Sequence, residues 1–164
     1  MSNLEAEAKK ELGNAAYAAK DYDEAIKQYT AAIAVDSTNC VYYSNRSAAY
    51  AAKGDWKSSA NDAQECINAK PSFIKGYYRL AKARSELNEF DAALVTLNIG
   101  LAIGGNDREQ KKMMRKLKAE VKEAKAAEYR QTAADQLQGA FEKPFQRRMK
   151  GKRDPAMERK VIEQ

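Results

Sequence analysis

Apolar and polar positions alternate along the first two thirds of the chain with the period of amphipathic helices. Leu12, Ala16 and Ala19 follow the 3.6-residue period of one helix, and a second helical pattern begins near Ala25. The 164 residues include only 8 Gly and 3 Pro, a composition that favours helix over sheet. The sequence therefore predicts an all-α fold.

The helical pattern repeats at a regular interval of about 34 residues. An acidic residue followed by an aromatic one recurs at residues 21–22, 55–56 and 89–90. Three sets of small residues keep the same spacing: Gly13, Ser47 and Ala81; Ala25, Ser59 and Ala93; Ala32, Cys66 and Gly100. Small residues allow two helices to cross closely. The repeat predicts three helix-turn-helix units, at about 6–39, 40–73 and 74–107, with turns at residues 20–21, at 53–55 and near Asn88. Pro71 is expected where a new helix begins, because proline is favoured at the first helical position.

A further helix is predicted after the third unit. Two glycines, at 104 and 105, end the preceding helix, and Asn106 or Asp107 can cap the next one. One apolar stripe follows, formed by Met114, Leu117, Val121 and Ala124. This pattern predicts a long helix, starting at about 107, that covers the open end of the stack. We therefore expect one domain over residues 1–125.

Residues 126–164 are predicted to form a helical extension followed by a basic, flexible tail. The apolar stripe thins beyond residue 126, and Pro144 and Gly151 are expected to interrupt a helix. Residues 108–164 hold 17 of the 29 Lys and Arg but only 9 of the 23 acidic residues. This excess of charge is typical of a solvated helix and tail, and a polyanion-binding segment is the alternative.

Composition argues against an enzyme. The chain has no His, which excludes His-based triads and His-containing metal sites. Cys40 and Cys66 are far apart in the sequence, so neither a Cys-only metal site nor a disulfide framework is expected, and a reducing compartment is indicated. No catalytic residue, metal or cofactor is predicted. The absence of a membrane-length apolar run and of a signal-like start favours a cytoplasmic protein.

Five polar residues from different units share one helical face. Counted within the repeat, Lys75 is at position 2, Lys10 at 5, Asn45 and Arg79 at 6, and Asn14 at 9. Positions 2, 5, 6 and 9 have the spacing i, i+3, i+4 and i+7, which forms a stripe on the first helix of a unit. The packing positions 4, 7, 8 and 11 form a different stripe. The pattern predicts that these cations and amides converge in one groove.

The repeat resembles the tetratricopeptide repeat (TPR) family over about residues 5–125. The resemblance is carried by Leu12-Gly13, Ala25, Tyr29, Ala32, Tyr50, Pro71, Leu80 and Ala93. It implies a right-handed superhelix of three helix-turn-helix TPR units, closed by the long C-terminal capping helix. First helices line the concave side of that superhelix in the family.

A narrower resemblance is to the carboxylate-clamp TPR domains of co-chaperones, such as the stress-inducible organising co-chaperone. It is carried by the segments at residues 10–14, 43–50 and 75–79. It implies binding of the C-terminal Glu-Glu-Val-Asp of the seventy- or ninety-kilodalton heat-shock chaperones. The five clamp positions of the family match Lys10, Asn14, Asn45, Lys75 and Arg79.

Three more residues are candidates for lining the groove. Tyr17 and Ala48 are placed to form an apolar pocket for the Val, and Lys82 to meet an acidic residue upstream. Neither a small-molecule substrate nor a membrane is expected as a partner, and the sequence carries no groove-reading motif for nucleic acid. A general TPR scaffold that binds an internal segment is the other interpretation of the groove.

Overall fold

The computed structural model describes residues 2–104 and 107–150, with side chains in the ranges 4–104 and 107–140. Within these ranges the chain forms seven helices and no strand, which confirms the predicted all-α fold. The helices are α1 (Ser2–Ala18), α2 (Tyr22–Val35), α3 (Cys40–Ala52), α4 (Trp56–Ala69), α5 (Ile74–Glu86), α6 (Phe90–Ile103) and α7 (Arg108–Lys150). From α1 to α6, each helix packs against the next.

The turn inside each unit has the same backbone geometry. Lys20, Gly54 and Asn88, which occupy equivalent positions of the three units, all have a positive φ, at 63°, 82° and 61°. The amide after each of these residues donates a hydrogen bond back into the preceding helix, at 2.9, 3.0 and 2.8 Å. This closure is the Schellman motif that ends helices with a left-handed residue. The predicted turns are confirmed.

Side-chain caps fix where the second helix begins in the first two units. Asp21 accepts a hydrogen bond from the amide of Glu24, and Asp55 accepts one from the amide of Ser58, both at 3.1 Å. Such caps satisfy amides that have no partner within the helix. Asp107 caps α7 in the same way, through the amide of Gln110 at 3.0 Å.

Pro71 does not begin a helix, contrary to the sequence-based prediction. Helix α5 starts three residues later, at Ile74, with Phe73 as its N-cap. The carbonyl of Pro71 accepts a hydrogen bond from the hydroxyl of Tyr77 at 3.0 Å, which holds Pro71 in the turn.

The small residues that recur in every unit are buried between helices, as predicted. Ala25, Ser59 and Ala93 are at most 1% exposed. A Cβ at Gly13 would lie 2.5 Å from the ring of Tyr29, so the glycine lets α1 approach α2 closely.

Helix α7 closes the third unit with its apolar stripe. Met114, Leu117 and Val121 are at most 3% exposed and pack in a cluster with Leu97 of α6. The predicted covering role of this stripe is confirmed. The chain divides after Ala124 into two compact units.

The predicted interruption at Pro144 is wrong, because α7 runs through it to Lys150. A proline inside a helix removes one hydrogen bond and crowds the carbonyl four residues earlier, which can kink a long helix without ending it. Gly151 and the residues after it in the predicted tail lie outside the described residues.

Within residues 2–104 and 107–150, every helix is too short or too polar to cross a lipid bilayer.

The shared turn geometry yields a matched pair of stability predictions. Lys20→Gly should raise the free energy of unfolding by about 0.5–1 kcal/mol, because a left-handed non-glycine residue is sterically penalised. Gly54→Ala should lower it by about 1 kcal/mol for the same reason. Urea denaturation of both variants checks the pair. A less stable Lys20→Gly variant would contradict the turn assignment.

Close packing of α7 against α6 yields a second prediction. A Cβ at Gly100 would lie 2.8 Å from the Cβ of Tyr77 and collide with the end of Met114. Gly100→Ala should therefore cost about 1–3 kcal/mol of stability. Gly139→Ala is the control, because nothing lies within 4 Å of its Cβ position and alanine favours helix. Thermal denaturation followed by circular dichroism measures both; equal losses would refute the packing argument.

Candidate functional site

The first helices of successive units contact each other, which brings the predicted polar stripe together. Helix α1 contacts α3, and α3 contacts α5. A pocket of about 270 Å³ lies where these helices meet. It is lined by Asn14, Tyr17, Tyr29, Asn45, Ala48 and Arg79. Three of the five predicted clamp residues and two of the three groove candidates therefore share one pocket.

The guanidinium of Arg79 is the cation of this pocket. Its Nε donates a hydrogen bond to the hydroxyl oxygen of Ser44 at 3.0 Å. Within residues 4–104 and 107–140, no carboxylate forms an ion pair with it. Burial lowers the pKa of Arg79, because removal of water disfavours its charged form. Arg79 thus presents a partly desolvated positive charge to an open pocket.

A second arginine, Arg46, has its charge balanced by a carboxylate of the same chain. Arg46 binds Asp62 through two hydrogen bonds of 2.7 Å, and its guanidinium lies 5.9 and 6.0 Å from the ring centres of Tyr43 and Tyr50. The ion pair with Asp62 raises the pKa of Arg46. Arg46 follows Asn45 in sequence, yet its charge is balanced and Arg79 is left as the pocket's cation.

The two asparagines are joined by a hydrogen-bond chain. Asn14 Oδ1 accepts from the hydroxyl of Tyr29 at 2.9 Å and from Nδ2 of Asn45 at 3.2 Å. Burial of Tyr29 raises the pKa of its hydroxyl, so the phenol remains protonated and keeps donating at neutral pH. This chain orients the amide of Asn14 in the pocket.

Lys10 lies outside the pocket lining and is bound by carboxylates of its own helix. Its Nζ is 2.5 Å from Glu7 Oε2 and 3.1 Å from Glu11 Oε1. The hydrogen bond with Glu7, followed by that with Glu11, raises the pKa of Lys10. The positive charge that the sequence assigned to the clamp is already partnered.

The remaining two lysines are also separate from the pocket. Lys75 is exposed and borders a different cavity of about 50 Å³, with Tyr78 of α5 and Met113 of α7. Lys82 donates a hydrogen bond to Glu86 at 2.7 Å, and this bond raises the pKa of Lys82. The structure therefore brings Asn14, Asn45 and Arg79 together and leaves all three lysines at its margins.

Sequence reasoning missed the residues that support the site. The sequence marks Tyr29 only as part of the repeat pattern, although its hydroxyl donates a hydrogen bond that orients Asn14. Ser44 gave no signal, since a serine next to Asn45 is compatible with any role. Glu7 could have been found, because it lies three residues before Lys10, a spacing at which side chains on a helix meet. Glu11 directly follows Lys10, so helix spacing does not predict its contact with Lys10.

Comparison with known proteins places the chain among repeat proteins of this architecture. The family model described as TPR repeat matches residues 13–54. Heat shock protein STI1 of Saccharomyces cerevisiae is 48% identical over 92 residues, which are 56% of this chain and 16% of that protein. The chain thus matches only a small part of the length of this relative.

Two solved structures extend the comparison to the fold. The TPR2B domain of yeast Sti1, in a complex with pHsp70, is 25% identical with a TM-score of 0.71, covering 73% of this chain and 98% of that one. The Sgt2 TPR domain of Aspergillus fumigatus is 34% identical with a TM-score of 0.66, covering 73% of this chain and 81% of that one. By its repeats, its helices and these likenesses, the chain belongs to the tetratricopeptide repeat family.

Proposed function

We propose that the TPR domain, over about residues 1–125, is a non-enzymatic co-chaperone module. Its pocket would capture the C-terminal Glu-Glu-Val-Asp of a cytosolic heat-shock chaperone. The observation that carries the proposal is Arg79, a partly desolvated guanidinium without a carboxylate partner among the described residues, facing an open pocket. Its ligand is expected to be an anion that the chain does not itself supply.

A peptide that ends in Asp fits the chemistry of this pocket. Its last residue carries two carboxylates, one from the main chain and one from the side chain. A guanidinium binds a carboxylate through two parallel hydrogen bonds, and such charge-assisted bonds are stronger than neutral ones. The amides of Asn14 and Asn45 can donate to a carboxylate or accept from the peptide backbone. Arginine would thus supply the attraction and the asparagines the orientation.

The apolar side of the pocket fits the penultimate Val. Tyr17 is 38% exposed at the pocket and Ala48 is 9% exposed, so a small aliphatic side chain can bury part of its surface against them. Lys75 precedes Arg79 by one turn of α5, and Lys82 follows by nearly one turn. Lys75, which is exposed, and Lys82, which is half-buried and paired with Glu86, would attract the two Glu residues upstream. We expect an affinity in the micromolar range, about −8 kcal/mol.

The relatives support a chaperone as the partner. The Sti1 domain with the same fold is described in complex with pHsp70, and the relative from Saccharomyces cerevisiae is itself named a heat shock protein. Free thiols at Cys40 and Cys66 are compatible with a reducing cytosol. Which of the two chaperones is preferred depends on residues upstream of the shared tail.

Peptide chemistry separates terminal capture from the scaffold alternative. A peptide ending in Glu-Glu-Val-Asp with a free carboxyl should bind at least tenfold more tightly than the same peptide with a C-terminal amide. The amide lacks the negative charge of the terminal carboxylate that would pair with Arg79. Calorimetry of both peptides measures the difference. Equal affinities would favour a scaffold that binds an internal segment.

Substitution of the pocket cation gives the matching protein-side test. Arg79→Ala should weaken binding of the free-acid peptide by ~2–5 kcal/mol, since a desolvated carboxylate loses its partner. Lys10→Ala should cost less, because Glu7 and Glu11 already balance its charge. Calorimetry ranks the two variants, and circular dichroism checks that both remain folded. An Arg79→Ala variant that binds as tightly as the wild type would rule out the clamp.

The basic C-terminal segment is the second candidate site. It would bind polyanions without a requirement for a free carboxyl terminus. Comparing peptide binding by the full chain and by a chain ending at residue 140 discriminates the two. An unchanged affinity for the peptide assigns its binding to the TPR domain.

A further inference from the structure

The carboxylate of Glu11 bridges two of the predicted clamp residues. Its Oε1 lies 3.1 Å from the Nζ of Lys10, and its Oε2 accepts a hydrogen bond from Nδ2 of Asn14 at 3.2 Å. One carboxylate therefore contacts an ammonium group and a side-chain amide at the same time. This is the arrangement that a ligand carboxylate would require at these two side chains.

Glu7 also contacts Lys10, but it is held from a second side. Its Oε1 accepts a hydrogen bond from the hydroxyl of Tyr42 at 2.7 Å, and Tyr42 is fully buried. The bond with Lys10, followed by that with Tyr42, lowers the pKa of Glu7. Glu7 is therefore a fixed counter-charge that can stay with Lys10 whether or not a ligand is present.

Glu11 is the more easily displaced of the two carboxylates. Its side chain is 66% exposed, against 45% for Glu7, and both of its contacts are to predicted clamp residues. Turning it outward places the carboxylate in water, where hydration replaces the lost bonds. Its pKa is lowered, first by Lys10 and then by Asn14, so it is ionised at neutral pH.

We propose that Glu11 is an internal competitor of the ligand, which occupies Lys10 and Asn14 in the free protein and must withdraw when a peptide carboxylate binds. The inference rests on the proposed function of the pocket. Glu11 would oppose binding in two ways, by holding two of the donors and by repelling the incoming negative charge. It would act through Lys10 and Asn14 as a residue that tunes affinity, without touching the bound peptide.

Calorimetry with the free-acid Glu-Glu-Val-Asp peptide tests this on the full chain. Glu11→Gln should bind about two- to fivefold more tightly than the wild type, the size expected when an exposed ion pair no longer competes. The control is Glu5→Gln, which removes the same charge from an exposed position of the same helix. A gain of affinity is a result that a purely structural role of Glu11 would not produce.

A double-mutant cycle assigns the gain to the contact with Lys10. In a Lys10→Ala background, Glu11→Gln should give a smaller gain than in the wild-type background, because the competed ammonium group is absent. Thermal denaturation of each variant confirms that the fold is retained. Unchanged or weaker binding by Glu11→Gln, or a gain equal to that of Glu5→Gln, would overturn the inference.

The two proposals fail in distinguishable ways. If the wild-type chain does not bind the free-acid peptide, the proposed function is refuted. If the wild type binds with the expected preference for a free carboxyl and Glu11→Gln gives no gain, only the competition by Glu11 is refuted.

Discussion

The candidate site depends on a positive charge that is held partly out of water and for which the described part of the chain supplies no anion. The pKa of Arg79 is lowered by burial, and its described hydrogen bond is to the neutral hydroxyl of Ser44. A cation in this position gains more from a carboxylate than an exposed lysine does, because little water remains to screen the pair. Arg46 demonstrates the alternative, since Asp62 within the chain has already balanced it. At Arg79 the residues that the structure describes leave the charge without a carboxylate partner.

The repeat geometry is what makes that charge useful. Schellman turns at Lys20, Gly54 and Asn88 give the three units the same hairpin, and small residues let their helices approach closely. Equivalent positions of successive first helices therefore face the same side, as Asn45 and Arg79 do. Amides from α1 and α3 and a cation from α5 therefore line one pocket, although they come from three different units of the sequence.

Most of the fold could be predicted from the period of the repeat, because turns, caps and small packing residues are local requirements. Pro71 and Pro144 were misinterpreted for a related reason. Proline restricts its own backbone and removes one donor, but a neighbouring hydrogen bond decides where a helix begins, and a long helix can tolerate the missing donor. The effect of a proline therefore depends on the hydrogen bonds around it, which cannot be inferred from the proline alone.

The site was predicted in part. Repeat positions determine which residues share a helix face, and the structure places Asn14, Asn45 and Arg79 at one pocket with Tyr17 and Ala48. They do not fix where a long side chain turns. Lys10 forms ion pairs with Glu7 and Glu11, and Lys82 forms one with Glu86. A carboxylate within one turn of the same helix attracts the ammonium group away from the groove. The sequence pattern therefore indicates where short or constrained side chains lie, but not which partner a flexible lysine contacts.

The most direct test of the central claim is to follow the pocket side chains themselves by NMR during a peptide titration. With a free-acid Glu-Glu-Val-Asp peptide, the Nε–H resonance of Arg79 and the side-chain amides of Asn14 and Asn45 should shift together and give one dissociation constant. Shifts confined to residues of α4 or to the end of α7, with the Arg79 resonance unmoved, would contradict the account.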